Sequence, residues 1–286
     1  MKKRPFTLVL SLLFTVSAYA KNKNLWMWIC LSVMLLPSLP SQAKIDPNTC
    51  VAMWLFNKKE DAIAADNSGN GNDGEFVGKP KWSKGKFGPA LELDGKSYVK
   101  VPDSEHLDTR LQDGFTITVW VNGEYEDTWH GIVTKAQDWK NDMSYLVQRD
   151  RGGAFNCGVF PDQQKQVWLQ SGVKPKDGTW YHIAVTYDGK EVVYFVDGVL
   201  AKSVAYTLGI DDTASPLTIG SNYPNAGQSF QGSIDEVALF NMALDPKDIQ
   251  TIMEVGLEEA TGLLAVDVAG KLTATWAAIK QISPWI

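Results

Sequence analysis

The chain has 286 residues, with 33 acidic against 27 basic side chains and a formal net charge of −6. That balance disfavours nucleic acid and anionic membranes, which are bound through clustered Lys and Arg. It suits a protein that binds a divalent cation or neutral sugars.

The first 43 residues read as a leader. Lys2, Lys3 and Arg4 precede an apolar run from Phe6 to Val16 that ends in Ala18-Tyr19-Ala20, the pattern of a secretory signal peptide. The pattern then repeats, with Lys21 and Lys23 before Leu25 to Leu39 and Ser41-Gln42-Ala43. This second run is broken by Pro37 and falls short of the ~20 residues of a spanning helix. Cleavage is expected after Ala20 or Ala43, which sends the chain to a secreted, periplasmic or cell-surface location with no membrane span left. Beyond residue 43 there are 22 Lys and Arg against 33 acids, a net charge of −11. Two cysteines remain there, Cys50 and Cys157. Export permits a disulfide between them, and burial as two small apolar residues is equally natural.

From residue 44 onward, turn dipeptides such as Asn70-Gly71, Asp94-Gly95, Asp113-Gly114 and Asp177-Gly178 separate short runs of β-branched and aromatic residues. In chain order the expected strands are 51–56, 91–93, 98–101, 115–121, 131–135, 144–148, 153–160 and 166–170. A meander follows over 180–202, turning at Asp188-Gly189 and Asp197-Gly198, each read as a two-residue hairpin loop. Strands at 217–219 and 233–240 complete the set. Asp245 as N-cap, Pro246 at the first position and Gly256 as a stop mark one short helix, with Ile249, Ile252 and Met253 on its apolar face. Regular short strands and so little helix predict an all-β, two-sheet antiparallel sandwich over 44–257. The tail, 258–286, differs in texture, and 263–276 is compatible with a hairpin.

Five stretches in order resemble the laminin-G-like jelly-roll domains of the concanavalin A-like lectin/glucanase superfamily. They are Val51-Ala-Met-Trp-Leu-Phe56 with Asp66-Asn-Ser-Gly-Asn-Gly-Asn72; Gly85 to Gly95 with Tyr98-Val-Lys-Val-Pro102; Phe115-Thr-Ile-Thr-Val-Trp120; Trp180 to Gly189 with Val196-Asp-Gly198; and Gly232-Ser-Ile-Asp-Glu-Val-Ala-Leu-Phe240. The resemblance implies a jelly roll, a structural Ca²⁺, and a glycan or an extracellular protein as partner. It carries the metal site to Asp235 and to the Asp94-Gly95 turn. Asp66 joins them on its own chemistry, since it opens a Gly/Asn-rich loop whose carbonyls can turn inward, and calcium takes six to eight oxygens. Asp66 and Asp94 are equally natural as turn formers.

For ligand contact the candidates are Trp129, Gln137, Asp138, Trp139, Trp168 and Tyr223. Sugar rings stack on aromatic faces, while amides and carboxylates bond their hydroxyls. The competing expectation is that these aromatics pack over the sandwich edges. Trp54, Trp120 and Trp180 lie in strands and are expected in the core. No catalytic residues are assigned: the paired acids of glucanases on this fold have no counterpart, and Glu124-Tyr-Glu126-Asp127 is a loop cluster. His106, His130 and His182 share no metal-ligand spacing. The expectation is a binding module and not an enzyme.

Overall fold

The computed structural model describes residues 45–58, 62–108, 111–124, 127–138, 142–161, 165–222 and 228–263. The strands in chain order are β1 (Cys50–Trp54), β2 (Ile63–Ala64), β3 (Gly74–Val77), β4 (Lys81–Lys84), β5 (Pro89–Asp94), β6 (Tyr98–Val101), β7 (Phe115–Gly123) and β8 (His130–Asp138). They continue as β9 (Asp142–Arg149), β10 (Phe155–Val159), β11 (Val167–Gln170), β12 (Tyr181–Tyr187), β13 (Glu191–Val196), β14 (Val199–Ala205), β15 (Leu217–Ile219) and β16 (Gln231–Phe240). Two helices follow, α1 (Pro246–Val255) and α2 (Leu257–Thr261).

These strands form two antiparallel sheets of a jelly-roll sandwich. The first runs β14-β13-β12-β7-β16-β5-β4, with β1 also on β16, and the second runs β11-β10-β9-β8-β15-β6-β3-β2. Strand alternation sends every second side chain between the sheets. There Ile117, Val119, Ile183, Val185 and Tyr194 of the first sheet share one core with Val99, Val133, Val147, Phe155 and Cys157 of the second.

The first sheet is also covered on its other side. Asp245 caps α1, its carboxylate accepting from Asp248 N at 2.8 Å. The apolar stripe of α1 then places Ile249 and Ile252 against Ala184, Phe195, Ala238 and Phe240. Burying each of those two isoleucines contributes roughly 1.5–3 kcal/mol. Gly256 ends α1 at φ 83°. The chain then winds into α2, whose Leu257 and Ala260 join the same cluster. The packed unit therefore runs past residue 257, where the sequence suggested a tail. The hairpin expected over 263–276 and the leader over 1–43 lie outside the described residues. Ile45 N donates to Ala260 O, so the first and last of the described segments touch.

The meander forms as expected, with one correction. Asp197-Gly198 is a two-residue turn with both φ values positive, 50° and 71°, between paired Val196 and Val199. Asp188-Gly189 is not. β12 ends at Tyr187 and β13 begins at Glu191, so the connection has three residues, and Asp188 Oδ1 holds it by accepting from Lys190 N and Glu191 N. Strands β2, β3 and β4 have no counterpart among the expected ones; they are segments of two to four residues at or next to the sheet edges, each with an exposed position.

The cysteines are not paired. Cys50 lies in β1 and Cys157 in β10, on different sheets and in different apolar clusters, and both are free buried thiols. Burial pushes both thiols up, out of the range where they ionise. Trp54 and Trp120 are buried, whereas Trp180 is only half-buried.

Candidate ligand surface on the second sheet

On β9 and β10, Tyr145, Val147, Phe155 and Cys157 enter the core. The alternate residues Leu146, Gln148, Asn156 and Gly158 therefore lie on the outer face. Strand pairing arranges that face in two rows. One is Gly131, Gln148, Asn156 and Gln170; the other is Thr134, Leu146, Gly158 and Trp168. The rows are two residues apart on β9, β10 and β11, or roughly 7 Å, and three apart on β8, where the register shifts between Gly131 and Val133.

The second row ends on an aromatic shelf. A Cβ on Gly158 would meet the Phe160 ring at 2.7 Å and Trp168 at 3.1 Å. Glycine thus leaves room for the two rings, which meet edge to face with centroids 5.3 Å apart. Trp168 Nε1 donates to Gln166 Oε1 at 3.0 Å. The indole is held in place and remains 41% exposed.

The first row is a set of amides with fixed polarity. A Cβ on Gly131 would collide with the backbone of Ser221 and Asn222, so glycine lets that loop settle directly on β8. Thr134 Oγ1 donates to Asn222 Oδ1 at 2.9 Å, and Asn222 Nδ2 donates to Gln148 Oε1 at 2.7 Å. This relay points Gln148 Nε2, a donor, away from Asn222. On the next strand Asp150 Oδ2 accepts from Asn156 Nδ2 at 3.3 Å, which leaves Asn156 Oδ1, an acceptor, turned the other way. Gln148 and Asn156 are each 1% exposed, and these two atoms have no hydrogen-bond partner. Leaving a buried polar atom unsatisfied costs about 1–3 kcal/mol. This donor and acceptor lie beneath the surface, where a buried water, which both accepts and donates, is the group that would satisfy them.

The residues expected from sequence divide accordingly. Trp168 belongs to this surface. Trp129 is half-buried and immediately precedes β8, at the end where Arg149 Nη1 donates to Thr128 O. Gln137 lies at the opposite end of β8, in a separate cleft of about 350 Å³ with Glu75, Lys100 and Asp103. Trp139, Tyr223 and the side chain of Asp138 lie outside the described residues. Gln148, Asn156 and Asn222 were not anticipated. The signal for the first two was polar residues at period two between apolar ones, as in Tyr145-Leu-Val-Gln148 and Phe155-Asn-Cys157.

The expected calcium carboxylates form no common group among the described residues, and at least one oxygen of each accepts from N–H groups. Asp66 Oδ1 accepts from Met53 N and Ser68 N, and Oδ2 accepts from Asn72 N and Nδ2, so this carboxylate organises its loop against β1. Asp94 Oδ1 accepts from Lys96 N and Ser97 N across the turn that Gly95 completes at φ 76°. Those backbone donors hold the Asp94 carboxyl below its usual range. Asp235 Oδ2 accepts from Lys86 N and Phe87 N, fixing the β4–β5 hairpin, and Oδ1 accepts from Glu236 N. Burial pushes the Asp235 carboxyl up to about 6 against the pull of those three donors. An N–H aimed at a carboxylate oxygen presents positive charge where a cation would sit, so Asp66 and Asp235, with both oxygens engaged in this way, do not fit Ca²⁺. Among the described residues no group of three His, Cys, Asp or Glu side chains can hold a metal.

His182 is a core histidine, bonded to Thr118 Oγ1 at 2.7 Å and kept neutral by burial and by Lys86, its pKa lowered to about 3. Glu124 Oε2 accepts from Gln231 Nε2 at 2.6 Å; Glu126 lies outside the described residues.

Three similarities bear on this architecture. Part of the chain is 25% identical to mouse pappalysin-1 over 195 residues, 59% of this chain and 12% of that protein. Domain 4 of AbnA, an extracellular arabinanase from Geobacillus stearothermophilus solved with arabinotriose, aligns at 20% identity with a TM-score of 0.59, over 72% of this chain and 98% of that one. The binding domain of Paraclostridial Mosquitocidal Protein 1 aligns at 15% identity with a TM-score of 0.60, over 72% of this chain and 52% of that one. At these identities the two structures share the fold. Residues 93–250, more than half of the chain, match a laminin G family model, and the chain belongs to the concanavalin A-like lectin/glucanases superfamily.

Proposed function

We propose that this protein is a non-catalytic, exported binding module that recognises carbohydrate on the outer face of its second sheet. The carrying observation is the exposed, anchored face of Trp168 between the exposed amides of Gln166 and Gln170, two residues to either side. A sugar ring on the indole gains apolar contact while its hydroxyls meet those two amides. The 12% share of pappalysin-1 that aligns fits a module used within a larger chain. Loop order in this reading comes from the N–H-bonded carboxylates Asp66, Asp94 and Asp235.

Calorimetric titration of the full chain with neutral oligosaccharides tests the reading. Saturable binding that Trp168→Ala removes supports it; binding unchanged by Trp168→Ala places the surface elsewhere. Release of reducing ends from any polysaccharide, lost on Glu124→Gln, would instead make the protein an enzyme.

One observation favours a protein ligand as a second reading. Strand β14 is the edge of the first sheet, with Val199 and Leu200 exposed. An open edge with apolar side chains is a template for strand addition. Binding to a protein that survives Trp168→Ala but is lost on Leu200→Lys would establish it.

A further inference from the structure

We infer that the β4 edge of the first sheet is a second binding site, one for a linear acidic polysaccharide. It stands apart from the Trp168 surface and does not rest on that reading. Charge is the first observation. Residues 79–100 carry six lysines against two acids, whereas the rest of the chain beyond residue 43 has 16 Lys and Arg against 31 Asp and Glu. Lys79, Lys81, Lys84 and Lys96 are exposed and have no ion-pair partner among the described residues. Glu92 stands opposite Lys81 in register without pairing with it. Lys86 is held over the Trp120 ring, 4.0 Å from its centroid, and is left out of the site.

The fold gathers these four lysines along one edge. β4 ends the first sheet, and Lys81 and Lys84 lie three residues apart on it, or ~10 Å. Lys79 N donates to Ser97 Oγ at 2.9 Å, which sets the start of β4 against the turn that carries Lys96. A Cβ on Gly78 would meet Ser97 Oγ at 2.5 Å, so glycine permits that approach. At the other end of β4, Gly85 N donates to Gly88 O, and Asp235 Oδ2 accepts from Lys86 N and Phe87 N. The backbone beneath the lysines is thus fixed in advance, which lowers the ordering cost of binding. Edge lysines also deter strand addition. That role accounts for Lys81 and Lys84, but Lys79 and Lys96 lie outside the strand. The stripe is one strand wide in an otherwise acidic chain. A duplex or a membrane surface would bring its phosphates against that acidic remainder, whereas a single polysaccharide chain lies along the strand and meets the ammonium groups alone. At the far end of the first sheet β14 adjoins β11, so Trp168 lies on the opposite edge of the sandwich.

The test is a titration of the full chain with polygalacturonate and dextran sulfate, beside neutral dextran, phosphatidylglycerol vesicles and a short DNA duplex. At least one acidic polysaccharide is expected to bind about tenfold or more tighter than dextran, and to weaken as salt rises from about 50 to about 200 mM. The double substitution Lys81→Gln and Lys84→Gln is expected to weaken that binding about tenfold with the melting temperature unchanged. Trp168→Ala should leave it unaltered. Binding of neither acidic polysaccharide would overturn the inference, and neutral oligosaccharide binding that Trp168→Ala removes would then leave the Trp168 reading standing. Acidic-polysaccharide binding that persists when all four lysines are changed to Gln, or that is lost on Trp168→Ala, would also overturn it. Tighter binding to the vesicles or the duplex than to either polysaccharide would overturn the choice of occupant.

Discussion

The side-chain amide of Asn222 donates to Gln148 Oε1 across 2.7 Å, and through this bond a loop dictates the polarity of the sheet beneath it. Asn222→Ala removes the middle of the relay and leaves Gln148 Oε1 and the Thr134 hydroxyl unsatisfied in buried surroundings. The expected loss is about 1–3 kcal/mol, read as a lower urea midpoint. Thr134→Val should cost less, because the amide-to-amide bond remains.

Stability is expected to fall as pH rises through neutrality. Burial, aided by the neighbouring Asp235 charge, pushes the Glu236 carboxyl from 4.5 to about 8, even though Leu257 N donates to it. Between those values the folded protein keeps a proton that the unfolded chain has released, so each step up in pH favours unfolding. Asp235 acts in the same direction between 3.8 and about 6. Glu236→Gln still accepts from Leu257 N and does not titrate. Thermal melts from pH 5 to pH 8.5 should therefore fall less steeply for the variant; parallel curves would mean that Glu236 does not carry the dependence.

Lys135 is a buried charge with every donor used. Its ammonium pairs with Asp103 and Asp108 at 2.5 and 3.2 Å and donates to Thr213 O and Ser215 O. Lys135→Met strands Asp108 without its cation and frees two carbonyls, for an expected loss of about 3–5 kcal/mol in chemical denaturation. Asp103→Asn should cost far less, because Asp103 is 39% exposed to solvent.

Calcium and EDTA are expected to leave the melting temperature unchanged, since both oxygens of Asp66 and Asp235 and one oxygen of Asp94 accept from N–H groups. A calcium-dependent rise in melting temperature that persists in Asp66→Asn would locate an ion on other oxygens.

The fold was largely legible because its signals are local. Strands such as Tyr98–Val101, Glu191–Val196 and Leu217–Ile219 coincide with their apolar runs, and the α1 cap follows from Asp245 and Pro246 alone. The short strands β2 to β4 were not legible, because Lys81-Trp-Ser-Lys84 has one apolar residue and is a strand only through its pairing with β5. The site was legible in part. Trp168 reveals itself as a large aromatic in a polar stretch, but Gln148 and Asn156 become a pair only when β9 and β10 are in register. The bonding of the carboxylates was not legible for a related reason. Residue type states that Asp235 has two acceptor oxygens; tertiary contact decides that backbone N–H groups fill them.

The contact between Ile45 N and Ala260 O bears on how such a unit travels between proteins. A segment such as 45–261, whose two ends adjoin, can be spliced into the surface loop of a host with little separation of the host's own strands. Its insertion costs mainly the closure of one long loop, which grows only logarithmically with length. Placing residues 45–261 between two domains that must stay close is thus as feasible, in chain geometry, as appending them to an end.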